Sequence, residues 1–215
     1  MTITAISFIR KKPDATIAQY RQHWLTVHGP LAAALPGVRR YVQSHVQHDA
    51  PGTNDLARAL RIDGFAQIWF DDEQQRQICY DSEQEVVCDR DSLLWIGASA
   101  RVVSDFKTLV PLAAKPSGVK QIALFLKPSN NAALSPETLA DLQKLRGVGG
   151  MEGIVDHTIL KQGASPNFKR ERVEVDLDRM VELSYDSAET LKRNSPPFRT
   201  GAPVALFEVR DYRIV

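Results

Sequence analysis

An α+β fold made of two βαββαβ halves is what this sequence predicts, and three observations predict it. Apolar residues alternate with a period of two in segments rich in Val, Ile and Phe. Between those segments, apolar residues recur three and four apart. The order of the two kinds of segment over residues 1–109 recurs over residues 119–215, with a proline-containing linker at 110–118. In each half this order is the split βαβ arrangement of a ferredoxin-like unit.

Each element has a local cause. Residues 3–9 alternate, Pro13 and Asp14 break the strand, and Thr16-Ile17-Ala18-Gln19 has the spacing of a capping box that starts a helix. Ile17, Tyr20, Trp24, Val27 and Leu31 form its apolar stripe; Gly29-Pro30 interrupts it and Pro36-Gly37 ends it. Over residues 38–47 the period returns to two, with Val38, Val42 and Val46 on one face and Arg39, Tyr41, Gln43 and His45 on the other. A long loop at 48–63 holds one helical turn, a strand follows at 65–70, an acidic helix in one or two pieces at 71–94, and a fourth strand at 95–104. In the second half, residues 120–127 alternate, and Ser135-Pro136-Glu137 starts a helix that Gly147 to Gly150 stop. Strands at 151–160 and 173–185, a short helix at 187–194 broken by Pro196-Pro197, and a strand at 204–213 complete the repeat.

Composition excludes several functions. Lys plus Arg (27) nearly cancels Asp plus Glu (26), so no global field favours nucleic acid or an anionic membrane. No long uninterrupted apolar run spans a bilayer, and Arg10, Lys11 and Lys12 follow the first apolar stretch, where a secretory signal carries its charge ahead of it. Two cysteines, Cys79 and Cys88, fit a reducing, cytoplasmic compartment. The histidines and acids have no convincing metal-ligand spacing, and His23 and His28, five residues apart, lie about 140° from each other on an α-helix. Gly147-Val148-Gly149-Gly150 is a helix stop, lacking the Lys-Ser or Lys-Thr of a phosphate loop; Lys169-Arg170-Glu171-Arg172 reads as a solvated loop.

A four-stranded sheet with helices on one face leaves the other face bare. The second half supplies the cover, so the two sheets are expected to enclose one barrel interior, with helices outside. If the valine face of the second strand meets the helices, Tyr41, Gln43 and His45 look into the barrel, where a buried polar row calls for pairing, water or a ligand. On the third strand, Gln67 and Trp69 share a face with Phe65; Phe65 reads as core, and Trp69 as either core or pocket wall. His157 has Val155 and Ile159 in phase and is either a second pocket group or a satisfied core residue.

Residues 8–46 resemble the EthD family, a branch of the dimeric α+β barrel proteins. The resemblance is carried by Arg10-Lys11-Lys12-Pro13, Tyr20-Arg21-Gln22-His23-Trp24, Val27-His28-Gly29-Pro30-Leu31 and the run from Leu35-Pro36-Gly37-Val38 through Tyr41, Gln43 and His45 to Val46. The third strand and acidic helix extend it over about the first hundred residues; the second half matches in element order alone. The resemblance implies a barrel, a pocket and a histidine. Related families on this fold include isomerases and dehydratases acting on lactones or polyketides, cofactor-free monooxygenases and haem-binding members, and fold does not choose among them.

The leading expectation is a cofactor-free isomerase or dehydratase for a small oxygenated molecule, in which His28 or His45 removes a proton beside a carbonyl. Tyr41 or Gln43 holds the developing oxyanion, and Gln67 and Trp69 help form the pocket. Against it stand a binding protein that holds a metabolite or haem without transforming it, and a cofactor-free monooxygenase. For His28 the bland reading is a helix-terminal histidine bonded to a carbonyl. Exposed edge strands leave recruitment of a second copy open.

Overall fold

The computed structural model describes residues 2–112, 118–127, 136–163, 171–194 and 203–215. The middle of the expected linker (113–117), the Ser135 cap, Lys169-Arg170 and the Pro196-Pro197 break lie outside the described residues. Through the first half the elements are β1 (Ile3–Lys11), α1 (Ile17–His23), a π-helical turn (Trp24–His28), α2 (Gly29–Ala33), β2 (Arg40–Val46), α3 (Asp55–Leu60), β3 (Gly64–Phe70), α4 (Glu73–Tyr80), α5 (Glu83–Trp95) and β4 (Ile96–Val110). The second half continues with β5 (Val119–Leu126), α6 (Pro136–Leu145), β6 (Met151–Gly163), β7 (Glu171–Arg172), β8 (Leu177–Tyr185), α7 (Ala188–Arg193) and β9 (Val204–Arg213).

The strand order is β4-β1-β3-β2 in the first half and β9-β5-β8-β6 in the second, joined by antiparallel seams β2–β9 and β6–β4. The two sheets therefore close into one antiparallel barrel with helices outside, and closure leaves no open edge among its eight strands. The two-residue β7 pairs on β4 in parallel. Ile6, Phe8, Val46, Phe65, Val102, Ile122, Met180, Phe207 and Val209 fill the interior, while separate apolar layers lie under the helices of each half. Leu56, Ala57 and Leu60 of α3, with Val173 and Val175, pack onto the interior cluster and close one end.

Strand β2 faces opposite to expectation. Val42, Ser44 and Val46 point into the barrel, and Tyr41, Gln43 and His45 point at the helical layer. Both faces of a barrel strand are buried, so alternation alone does not say which face is inside; here the hydrogen-bonding demands of the helical layer decide. The interior instead receives a polar belt from other strands. Ser104 Oγ lies 3.1 Å from His157 Nδ1, and His157 Nε2 lies 2.6 Å from Glu182 Oε1. Lys120 Nζ bridges Glu182 (2.5 Å) and Asp211 (2.6 Å), and Ser44 Oγ donates to Asp211 Oδ1 at 2.6 Å. His157, with both ring nitrogens engaged, is thus a satisfied interior residue, and the belt ties both seams between the halves.

The helix over residues 17–33 is not broken at Gly29-Pro30 but widened. Pro30 has no N–H, and in a regular α-helix its ring would meet the Thr26 carbonyl. Over Trp24–His28 the hydrogen bonds run from i to i+5, and the Gly29 N–H donates to the Trp24 carbonyl. Gln43 Nε2 donates to the same carbonyl at 2.8 Å and to Tyr41 Oη at 3.1 Å. Trp24 Nε1 also donates to Tyr41 Oη, at 3.0 Å, and His45 Nε2 lies 3.2 Å from Gln43 Oε1. A Cβ on Gly29 would sit 3.1 Å from that Gln43 nitrogen, so glycine permits the approach. His45 stacks on Trp24 at 4.6 Å, and Gly64 leaves room for the edge of the same indole.

Two outcomes follow from this packing. A Cβ at Gly64 would lie 2.3 Å from Trp24 Cζ3, whereas nothing lies within 4 Å of one at Gly149. Gly64→Ala is expected to destabilise by about 1–3 kcal/mol in urea unfolding and Gly149→Ala to be near neutral; equal effects would contradict the Trp24 contact. Burial first, and then the charges of Arg21 and Arg210, depress the His45 pKa to about 4. Between the unfolded value near 6.5 and about 4 the unfolded chain binds more protons, so this contribution is full above about 6.5 and is lost as pH falls through that window. His45→Phe should flatten the acid limb of stability by on the order of 2–3 kcal/mol, read from urea midpoints between pH 7 and 4.

Candidate functional site

The helix-side layer of the first half contains a cavity of about 50 Å³, enough for about three waters. Its lining includes His28, Tyr41, Tyr80, Cys88, Ser92 and Arg101. Helix α5 starts at the Ser82 cap, whose side chain accepts from the Glu85 N–H. Cys88, Asp91, Ser92 and Trp95 then follow at steps of three and four, along one side of the helix.

Asp91 is the hub of the site. Its Oδ1 accepts from His23 Nε2 at 2.9 Å, and its Oδ2 accepts from His28 Nδ1 at 2.9 Å and from Trp95 Nε1 at 3.2 Å. Burial raises the pKa of this carboxyl, but the hydrogen bonds from His28 and His23 outweigh that and hold it at about 2. A carboxylate only accepts, so neutral His28 carries its proton on Nδ1 and presents Nε2 as a lone pair. That nitrogen accepts from the Cys88 thiol, with Sγ 3.7 Å away, and the His28 ring meets Trp95 edge-on at 4.9 Å. Burial first, and then Glu85 and Asp89, push the Cys88 thiol far above its ordinary value, so it stays protonated.

Tyr41 supplies the opposite polarity. Its oxygen accepts from Trp24 and from Gln43, which uses both lone pairs and leaves its own O–H to be donated. Burial raises the Tyr41 pKa well above the ordinary range, so the phenol keeps that proton. Arg101, also on the cavity wall, lies over Tyr80 at 4.7 Å and donates from Nε to Ser7 Oγ at 3.3 Å. Its Nη1 stands 3.7 Å from Glu85 Oε1, beyond hydrogen-bond reach. A base nitrogen, a phenolic donor and a guanidinium thus share one enclosed space.

The sequence-predicted residues divide between two places. His28 and Tyr41 line this cavity. Gln43 and His45 do not line it; they fasten the π-helical turn behind it. Gln67 and Trp69 lie across the sheet, on the interior face of β3 with Phe65. His23 and His28, expected on different faces, meet one carboxylate, because a helix bonded from i to i+5 returns to nearly the same face after five residues. Asp91, Cys88 and Arg101 were not anticipated. The available signal was an aspartate between Cys88 and Trp95 on the buried side of an otherwise acidic helix. Among the described residues no group of three or more His, Cys, Asp or Glu side chains is placed to hold a metal ion.

Comparison with known proteins agrees with this architecture. No curated protein matches the chain. An anthrone oxidase-like protein of known structure is 10% identical, with 99% of this chain and 93% of that one aligned at a TM-score of 0.57. A candidate monooxygenase from Lactobacillus acidophilus is 9% identical over 100% of this chain and 94% of its own, at 0.55. One from Fusobacterium nucleatum is 8% identical over 98% and 97%, at 0.54. At such identities these proteins share the fold, and they share it over the whole chain. The EthD domain model matches residues 12–93, the span that carries His28, Tyr41 and Asp91. The chain is therefore similar to the EthD domain over residues 12–93, within a tandem α+β barrel whose fold the solved structures share over the whole chain.

Proposed function

We propose that the chain is a cofactor-free enzyme that removes a proton from carbon beside the carbonyl of a small oxygenated molecule, a lactone or polyketide-like ring. The observation that supports it most is His28, held by Asp91 so that Nε2 is the basic atom, in the cavity that Tyr41 lines with an uncommitted O–H. His28 Nε2 takes the proton, the electron pair of the broken C–H bond forms the carbon–carbon double bond of an enolate, and the carbonyl π pair moves onto oxygen. Tyr41 donates its hydrogen bond to that oxygen, and Arg101 lowers the energy of the negative charge. Asp91 stays anionic and stabilises the imidazolium. Returning the proton to a different carbon completes an isomerisation; expelling a β-hydroxyl as water, with that proton, completes a dehydration.

The cavity limits what binds. Its volume of about 50 Å³ is far below the 300–1,000 Å³ of pockets for larger ligands, so a ring-sized substrate requires α2 to part from α5. His45 is not placed as a haem ligand, being packed against Trp24 and Tyr212 at 4.6 Å each. Two of the fold neighbours are candidate monooxygenases. An enolate formed on His28 would be the species to meet oxygen in such a reaction, and oxygen uptake in the assay would mark it.

Solvent deuterium exchange into enolisable lactones, followed by mass spectrometry, tests the proposal. His28→Ala is expected to slow exchange by about 10²-fold or more, and Asp91→Asn by a comparable factor through loss of the correct tautomer. Tyr41→Phe should lower kcat by about 10²-fold with little change in KM. Exchange in His28→Ala at the wild-type rate would remove this mechanism.

A further inference from the structure

Across the sheet from the His28 cavity, the interior face of β1, β3 and β2 carries a second group of polar atoms that the proposed reaction does not use. Gln67 is fully buried, and neither its amide nitrogen nor its amide oxygen finds a partner among the described residues. Thr4 is fully buried too, and its hydroxyl is in the same position. Arg40 Nε is a buried donor without an acceptor, and the guanidinium lies over the Trp69 ring at 4.5 Å.

Strand register brings these residues into one patch. Gln67 pairs with Ile6 on one side and Val42 on the other, while Trp69 pairs with Thr4 and Arg40. Thr4 and Arg40 are therefore both diagonal neighbours of Gln67 on the interior face, with Trp69 between them. A buried amide left unpaired costs about 1–3 kcal/mol, which a native interior does not sustain at several atoms together without something to bond.

The surroundings indicate what is bonded. Where β5 begins and β8 ends, a cleft of about 830 Å³ opens, its charged lining made of Arg40, Lys120, Arg210 and Arg213 together with Glu152, Glu208 and Asp211; Gln67 and Trp69 lie behind Val42 and Arg40 of that wall. Lys120 is committed to Glu182 and Asp211. Arg40 and Arg213 have no acidic partner among the described residues, and Val42 on the cleft wall is the direct cross-strand neighbour of Gln67. Arg40 Nε–H and the Gln67 amide both require an acceptor, Gln67 Oε1 requires a donor, and Trp69 offers an apolar plane.

We propose that this patch is a binding site for a small aromatic carboxylic acid. Its carboxylate accepts from Arg40 and Gln67, and its ring lies against Trp69 once the Arg40–Trp69 stack parts. The site is separated by the sheet from His28, so its occupancy is independent of proton transfer there.

Titration of the full chain with sodium benzoate, read by tryptophan fluorescence, tests this, with benzamide as the neutral control. Benzoate is expected to give a saturable change that is absent in Trp69→Phe. The change should be weakened about tenfold or more by Arg40→Gln and by Gln67→Leu, retained in His28→Ala, and at least tenfold weaker with benzamide. Gln67→Leu should melt no lower than wild type, because an unpaired amide is replaced by an apolar side chain of similar shape. No saturable change in the wild type, or equal binding by the Arg40 and Gln67 variants, would overturn the proposal. So would a lower melting point for Gln67→Leu without benzoate binding, the mark of an amide satisfied by buried water alone.

Discussion

The carboxylate of Asp91 is the contact on which the helical layer of the first half depends. It receives three N–H donors, from His23, His28 and Trp95, and so joins the π-helical turn to α5 over the cavity. Hydrogen bonds to a charged acceptor are worth about 1.5–3 kcal/mol each, more than neutral ones, and a carboxyl held at about 2 stays charged across the physiological range. The other side of the turn is held by Gln43, whose amide bonds the Trp24 carbonyl and the Tyr41 hydroxyl. Asp91 orients the His28 imidazole and Gln43 the Tyr41 phenol, so the two groups are positioned by different elements and rest on the same distorted helix.

The fused repeat makes the molecule asymmetric. In the first half a 13-residue α5 brings Asp91, Cys88 and Trp95 to the helix-side cavity. The element that follows β8 in the second half is the six-residue α7, too short to carry an equivalent set. The histidine on the corresponding strand of that half, His157, points into the barrel and is spent on Ser104 and Glu182. One half thus carries the Asp91–His28 cavity, and the other supplies the strands that close the barrel and the charged residues of the belt that ties its seams.

Much of the fold was legible because its signals are local. Alternation, the Thr16 cap and the recurring element order identify both halves, and the bare face of a four-stranded sheet leads to the barrel. The orientation of β2 was not legible, since Val42 and His45 lie on opposite faces that are both buried. Nor was the meeting of His23 with His28, which depends on a turn of five residues where sequence periodicity assumes 3.6. His28 was singled out from residue type and resemblance, and Tyr41 as part of a row expected to look into the barrel, whereas it faces the helices. Asp91 was hidden in an acidic helix, because the contact that matters joins residues more than sixty positions apart.

The central claim is that Asp91 fixes the tautomer of His28 so that Nε2 is the basic atom in the cavity. Long-range ¹H–¹⁵N NMR on the ¹⁵N-histidine-labelled chain, at a pH where the ring is neutral, reads this directly. The account predicts an Nδ1–H, Nε2-unprotonated pattern for His28 that loses its dominance when Asp91 is replaced by Asn. An Nε2–H tautomer in the unmodified chain would contradict it.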